Sequence, residues 1–75
     1  MKVTHEEAVR TVGLHDVVHM VKGSLRDSYF RLGENNWLVQ AEGFRMSGFT
    51  DGDIAEYITD LSDCGYTMYF EGMMA

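Results

Sequence analysis

Two histidines in the first third of the chain have a spacing that could bind a metal ion. His15 and His19 are four residues apart in the stretch HDVVH. Residues four apart lie on the same side of a helix, and two imidazoles placed in this way can ligate one zinc ion. A third ligand would have to come from a neighbouring turn, with His5 or Glu6 as the candidates. We interpret the pair as surface or half-buried histidines of an amphipathic helix, keep metal binding as an alternative, and predict no cofactor.

The same stretch resembles two known families over short lengths. HDVVH resembles the H-E-x-x-H motif of zinc metalloproteases, but Asp16 stands where those proteins have the glutamate that activates water. HEEAVRTVGLHDVVHMVKG resembles a helix-turn-helix, whose recognition helix would present His15, Asp16, His19 and Lys22 to DNA. Phosphate and guanine contacts are made mainly by Arg and Lys, and this set contains one lysine. The resemblances imply a metal-binding protein or a small DNA-binding regulator that uses residues 5–22, and both remain alternatives.

No other residue pattern indicates an enzyme. Cys64 is the only cysteine, and no histidine lies near it in the sequence to activate a thiolate. The chain has neither a glycine-rich phosphate loop ahead of a helix nor a Ser-His-Asp set. A single thiol excludes an internal disulfide, and the lack of disulfides is typical of proteins in the reducing cytoplasm. The apolar runs of the sequence are too short to span a membrane. We predict a non-enzymatic, cytoplasmic protein with one domain in residues 1–75.

The net charge is the bulk property that says most about partners. It is −6 at pH 7, and the charges are unevenly distributed along the chain. Residues 1–45 contain six basic and six acidic residues, whereas residues 46–75 contain six acidic residues and no Lys or Arg. An acidic surface repels phosphate backbones and attracts basic surfaces over about 10 Å at 0.1 M salt. The sequence therefore predicts a basic protein partner and no direct contact with nucleic acid.

Most of the excess acid lies in TDGDIAEYITDLSDCG, residues 50–65, which has the pattern of an amphipathic helix. Thr50 can cap this helix and Gly65 can end it. The apolar stripe predicted to face the core consists of Ile54, Tyr57, Ile58 and Leu61. The acidic residues on the opposite side are Asp53, Glu56, Asp60 and Asp63. We expect these carboxylates to bind the partner.

Aromatic residues supply the second part of the predicted binding surface. The chain has four Phe, four Tyr and one Trp, more than one small core can easily enclose. Trp37, Tyr57, Tyr66 and Tyr69 are the predicted exposed anchors, because Tyr and Trp are common in binding hot spots. In size and charge alone the chain resembles small acidic inhibitors of phages and mobile elements, anti-CRISPR proteins among them. The first functional hypothesis is an inhibitor that blocks a basic, nucleic-acid-handling protein through residues 51–64.

The N-terminal part of the chain has a helical pattern. Thr4 and Glu7 form a capping box that opens a helix. Apolar residues keep helical spacing as far as Val21, with Gly13 as a point of interruption. The prediction is one helix over residues 5–22 or two short helices joined near Gly13.

The middle and the end of the chain favour strands. Aromatic and branched residues flank GENN at residues 33–36, which predicts a β-hairpin over residues 28–42. A helix over residues 24–32 is the alternative, because the same stretch also keeps a helical spacing. FRMS, residues 44–47, is expected to extend the second strand through a bulge, and residues 66–71 are expected to form a closing strand.

The order α-β-β-α-β predicts an α+β fold. A right-handed crossover would place the closing strand beside the first hairpin strand, in a three-stranded antiparallel sheet packed by helices on one face. The opposite face would be left to water or to a partner. Residues 66–70 are an uncharged, aromatic run that would be a hazardous free edge. A homodimer would protect this edge, and we predict one.

Overall fold

The computed structural model describes residues 2–73 and has two helices and five strands. The helices are α1 (His5–Leu14) and α2 (Asp51–Asp63). The strands are β1 (His15–Lys22), β2 (Leu25–Gly33), β3 (Asn36–Ala41), β4 (Phe44–Phe49) and β5 (Thr67–Met73). All neighbours pair antiparallel, in the order β4-β3-β2-β1-β5. The α+β class is confirmed, but the sheet has five strands and the prediction of three is wrong.

β1 occupies residues 15–22, so the predicted helix over residues 5–22 is wrong beyond Leu14. His15 already has extended φ and ψ angles, −122° and 148°. The valines of HDVVHMVK are β-branched and favour extended backbone. β1 pairs with β2 on one side and with β5 on the other, and two hydrogen-bonded ladders outweigh the helical spacing of its apolar residues. The closing strand therefore lies beside β1 and not beside the hairpin.

The predicted hairpin is confirmed in β2 and β3, and the alternative helix over residues 24–32 is wrong. Residues 44–47 do not extend β3, because a turn reverses the chain at Gly43, whose φ of 72° favours glycine. The chain then returns as β4. A bulge does occur in this strand pair, but it lies in β4 and places Phe49 opposite Trp37.

Both helices pack on one face of the sheet, which we call the covered face. Its buried strand residues are Val18, Met20, Tyr29, Trp37 and Val39. The helix residues in the same apolar cluster are Ala8 and Val12 of α1 and Ile54, Ala55 and Ile58 of α2. Alternate strand residues lie on the other face, which no element within residues 2–73 covers and which we call the open face. Its central residues are Val17, His19, Phe30, Leu38 and Tyr69.

Candidate functional site

Two of the acidic residues of α2 serve the fold directly. The Asp53 carboxylate accepts a hydrogen bond from the Thr50 N–H at 3.0 Å, and the Asp53 N–H donates to Thr50 Oγ1 at 3.1 Å. Asp51 accepts a hydrogen bond from Trp37 Nε1–H at 2.7 Å. Asp53 was expected to face a partner, and in the structure its carboxylate closes the capping box at the start of α2.

Three further acidic residues of α2 are exposed and lie on one side of the helix. Glu56, Asp60 and Asp63 extend over about 10 Å along the axis. None of the ion pairs formed within residues 2–73 involves them. Lys22 Nζ donates to the Cys64 carbonyl at 2.8 Å, so one cation lies at the C-terminal end of α2. The middle of the helix therefore keeps its negative field, and we call these three residues the acidic row.

The side chain of Arg31 contacts the N-terminal end of α2 and holds it against the sheet. Its guanidinium lies 3.1 Å from the carboxylate of Asp16 and 3.4 Å from that of Asp51. It also donates to the Val12 carbonyl, and its Cζ lies 4.5 Å from the centre of the Trp37 ring. Only 12% of the Arg31 side chain is exposed. These contacts tie α1, β2 and β3 to the start of α2, and so determine the direction in which the acidic row points.

A cleft of about 400 Å³ lies beside α2, over the part of β3 and β4 that the helices leave free. Its aromatic walls are formed by Tyr29, Phe44, Phe49 and Tyr57. The aliphatic residues Val39, Ala41 and Leu61 complete the apolar lining. Two carboxylates, Asp27 and Asp60, also line the cleft, and none of the basic residues within residues 2–73 does. Because Asp60 belongs to the acidic row as well, the cleft and the row form one continuous surface.

The aromatic walls of the cleft are packed against one another. The rings of Tyr29 and Tyr57 are stacked with centroids 6.3 Å apart, and Phe49 meets Tyr57 edge-on at 5.7 Å. Both distances lie in the range of favourable aromatic pairs. Tyr57 is 37% exposed and Phe44 is 45% exposed, so these two rings also face solvent. The cleft is thus a preformed aromatic surface that is open on one side.

Burial in the cleft changes the acid–base properties of two of its residues. It raises the pKa of Asp27 above the usual value of 3.8, because desolvation disfavours the carboxylate. Burial also raises the pKa of Tyr29, and the negative charge of Asp27 acts in the same direction. A cation bound beside Asp27 would favour its ionised form and so oppose the effect of burial.

The predicted aromatic anchors do not come together with the acidic row. Trp37 has no exposed surface, so its prediction as an exposed anchor is wrong. Arg31 lies over its ring and Asp51 accepts a hydrogen bond from its Nε1–H, two contacts that the sequence pattern did not reveal. Tyr66 is half-buried against the core, and Tyr69 is 56% exposed but lies on the open face. Among the predicted anchors, Tyr57 is the one that lines the cleft.

The histidine pair lies on β1, and the prediction that places it on a helix is wrong. Residues four apart in a strand are separated by about 13 Å, too far to share one metal ion. His19 is hydrogen-bonded to Ser28 through Nδ1 at 2.8 Å and to Glu71 through Nε2 at 2.9 Å. The His15 ring packs against that of Phe70 at a tilt of 31°, with ring centroids 3.9 Å apart. In the described part of the chain no group of three or more His, Cys, Asp or Glu residues could hold a metal, and no recognition helix follows α1.

The cleft itself was not predicted from the sequence. Asp27 and Tyr29 are two residues apart on a strand, so their shared face is readable once β2 is recognised. Phe44 and Phe49 come from β4, and the sequence predicted only that residues 44–47 extend β3. Without the turn at Gly43 these rings have no predicted position, and the cleft has no outer wall.

Comparison of the chain with models of protein families, with curated proteins and with solved structures found no match. Within residues 2–73, neither helix has the length and apolar character needed to cross a membrane. The acidic row and the cleft are therefore the features of the molecule that bear on its function.

Proposed function

We propose that the protein is a non-enzymatic acidic binding protein whose helix α2 engages a basic surface of a partner protein. The observation that carries the proposal is the acidic row Glu56, Asp60 and Asp63, which adjoins an aromatic cleft. Like charges three or four residues apart on a helix cost a few tenths of a kcal/mol per pair. No ion pair within residues 2–73 offsets this repulsion. A basic partner would replace repulsion with attraction.

The chemistry of the row favours one class of partner. Proteins that handle nucleic acids have grooves with the positive field that attracts phosphate backbones, and an acidic helix matches such a groove. Occupation of the groove would inhibit the partner. The proposed activity resembles that of small acidic inhibitors from phages and mobile elements, including anti-CRISPR proteins, which have a similar size and charge.

The test is affinity capture from a lysate of the source organism, followed by measurement with the purified partner. We expect a basic, nucleic-acid-handling protein to be captured by the wild type. The double variant Glu56→Lys/Asp63→Lys should bind that protein at least tenfold more weakly, a change of about 1.4 kcal/mol. The matched control is Glu34→Lys/Glu42→Lys, which makes the same change in net charge at exposed positions outside α2.

Three results would contradict the proposal. The first is capture of a partner without a basic surface. The second is an equal loss of binding in the control variant, which would assign the effect to net charge and not to α2. The third is a gel shift of duplex DNA by the wild type at moderate salt, which would indicate direct nucleic-acid binding.

A further inference from the structure

The protein's own Arg31 occupies a site that shows how this fold binds a guanidinium group. The guanidinium of Arg31 lies between the carboxylates of Asp16 and Asp51 and stacks over the ring of Trp37. Planar guanidinium groups favour this combination, because they bond carboxylates through several N–H groups and stack on aromatic faces. The site shows which surroundings hold an arginine in this fold.

The cleft beside α2 has the same chemical components. Asp27 and Asp60 supply two carboxylates, and Tyr29, Phe44 and Tyr57 supply aromatic surface. The volume of about 400 Å³ lies near the lower end of the range for ligand pockets, roughly 300–1,000 Å³, which suits a single long side chain. An anionic group would be repelled by both carboxylates, and a purely apolar group would leave them desolvated without a partner. The lining therefore favours a cation carried on an apolar stem.

We propose that the cleft receives one arginine side chain of the basic partner. The guanidinium would lie between Asp27 and Asp60, and its aliphatic stem would pack against Phe44 and Tyr57. This inference rests on the proposed function and names the contact that determines where the partner sits along α2. The acidic row then attracts the basic surface, and the cleft positions it.

The cleft can be tested without the partner. The probe is N-acetyl-arginine-N-methylamide, titrated into the ¹⁵N- and ¹³C-labelled full chain at millimolar concentration and followed by NMR. The control probe is the citrulline analogue, which has nearly the same shape but no charge. We expect saturable shifts at Tyr29, Phe44 and Tyr57 with the arginine probe and at least tenfold weaker binding of citrulline.

Matched variants separate the cleft from the general negative field. Asp27→Asn and Asp60→Asn should each weaken the arginine probe by about tenfold, because each removes one charge-assisted contact. Glu34→Gln removes one charge at an exposed position outside both the cleft and the acidic row, and it should leave the affinity within about twofold. Melting curves of all three variants establish that each remains folded.

Results that contradict the charge dependence or the position of the arginine site overturn the inference. Equal binding of citrulline would make the cleft a neutral apolar pocket, and equal weakening by Glu34→Gln would make the attraction a general effect of net charge. Shifts confined to the open face, or no shifts at all, would remove the cleft as the site. A different result would contradict the proposed function but support the arginine site: the arginine probe binds in the cleft, and Glu56→Lys/Asp63→Lys does not change the affinity for the partner.

Discussion

The covered and open faces of the sheet are built from the same strands but differ in burial and in charge. Val18 has no exposed surface on the covered face, whereas its neighbour Val17 is only half-buried on the open face. The helices on the covered face present the acidic row outward. By strand register, the open face carries Arg26 and Arg45. Its acidic residue in β5, Glu71, is bonded to His19.

This difference shows that the fold separates charge across the sheet. Alternate residues of a strand point to opposite faces, so the choice of covered face also decides which charges are brought together. A basic partner would be attracted to the helical side and repelled by the arginines of the other side. The asymmetry supports an orientation for the proposed complex, in which the open face points away from the partner.

The largest expected difference between the faces is in the free energy of unfolding that is lost when one arginine on each face is replaced. Arg31→Met should lower the free energy of unfolding by about 2–4 kcal/mol, because it leaves Asp16 and Asp51 without their cation and removes the stacking on Trp37. Arg45→Met, at an exposed position on the open face, should change it by no more than about 0.5 kcal/mol. Urea denaturation measures both. Similar values for the two variants would show that Arg31 does not hold the elements together.

A smaller difference is expected between two adjacent valines of β1. Val18→Ala should cost about 2 kcal/mol of unfolding free energy, since the site is fully enclosed by the helices. Val17→Ala should cost less than about 1 kcal/mol, because its side chain remains partly in contact with water. If Val17→Ala costs as much as Val18→Ala, the open face is covered in solution. Light scattering would then show a dimer, as predicted from the aromatic edge strand.

The smallest effect is a dependence of stability on pH that arises in the cleft. The pKa of Asp27 is raised in the folded protein, so the folded state binds this proton more tightly than the unfolded chain does. The contribution of Asp27 to stability therefore falls as the pH rises above 3.8 and is unfavourable at pH 7. Asp27→Asn should raise the melting temperature at pH 7 and leave it unchanged at pH 3. A lower melting temperature at pH 7 would show that the carboxylate stabilises the fold.

Asn substitution at position 27 also links stability to binding. The same change is expected to stabilise the free protein and to weaken the arginine probe. Functional sites often contain residues that destabilise the fold but are needed to bind a ligand. The opposite sign of the two effects would distinguish a binding residue from a structural one.

Several elements could be read from local sequence patterns. α2 was predicted over residues 51–64 and is found at Asp51–Asp63, and the predicted capping box at Thr4 and the predicted helix cap at Thr50 are both present. The hairpin and the closing strand were also recognised. The helix caps and the hairpin depend on contacts between residues that are close in the chain: the cap to the third residue of the helix, or one hairpin strand to the next. Such contacts correspond to short sequence patterns that can be recognised without the structure. The closing strand was recognised from its composition, but its pairing with β1 joins distant residues.

The tertiary structure alone decided the remaining features. Residues 15–22 satisfy a helical spacing, but β2 and β5 offer backbone partners on both sides, so the stretch is a strand. Trp37 was expected to be exposed and is buried because its strand position faces the helices, in the same apolar cluster as Ile54 and Ile58. The cleft joins side chains from β2, β3, β4 and α2, which meet only after the sheet order is set. Contacts between distant segments determine these outcomes, and no short stretch of sequence records which distant segments will pair.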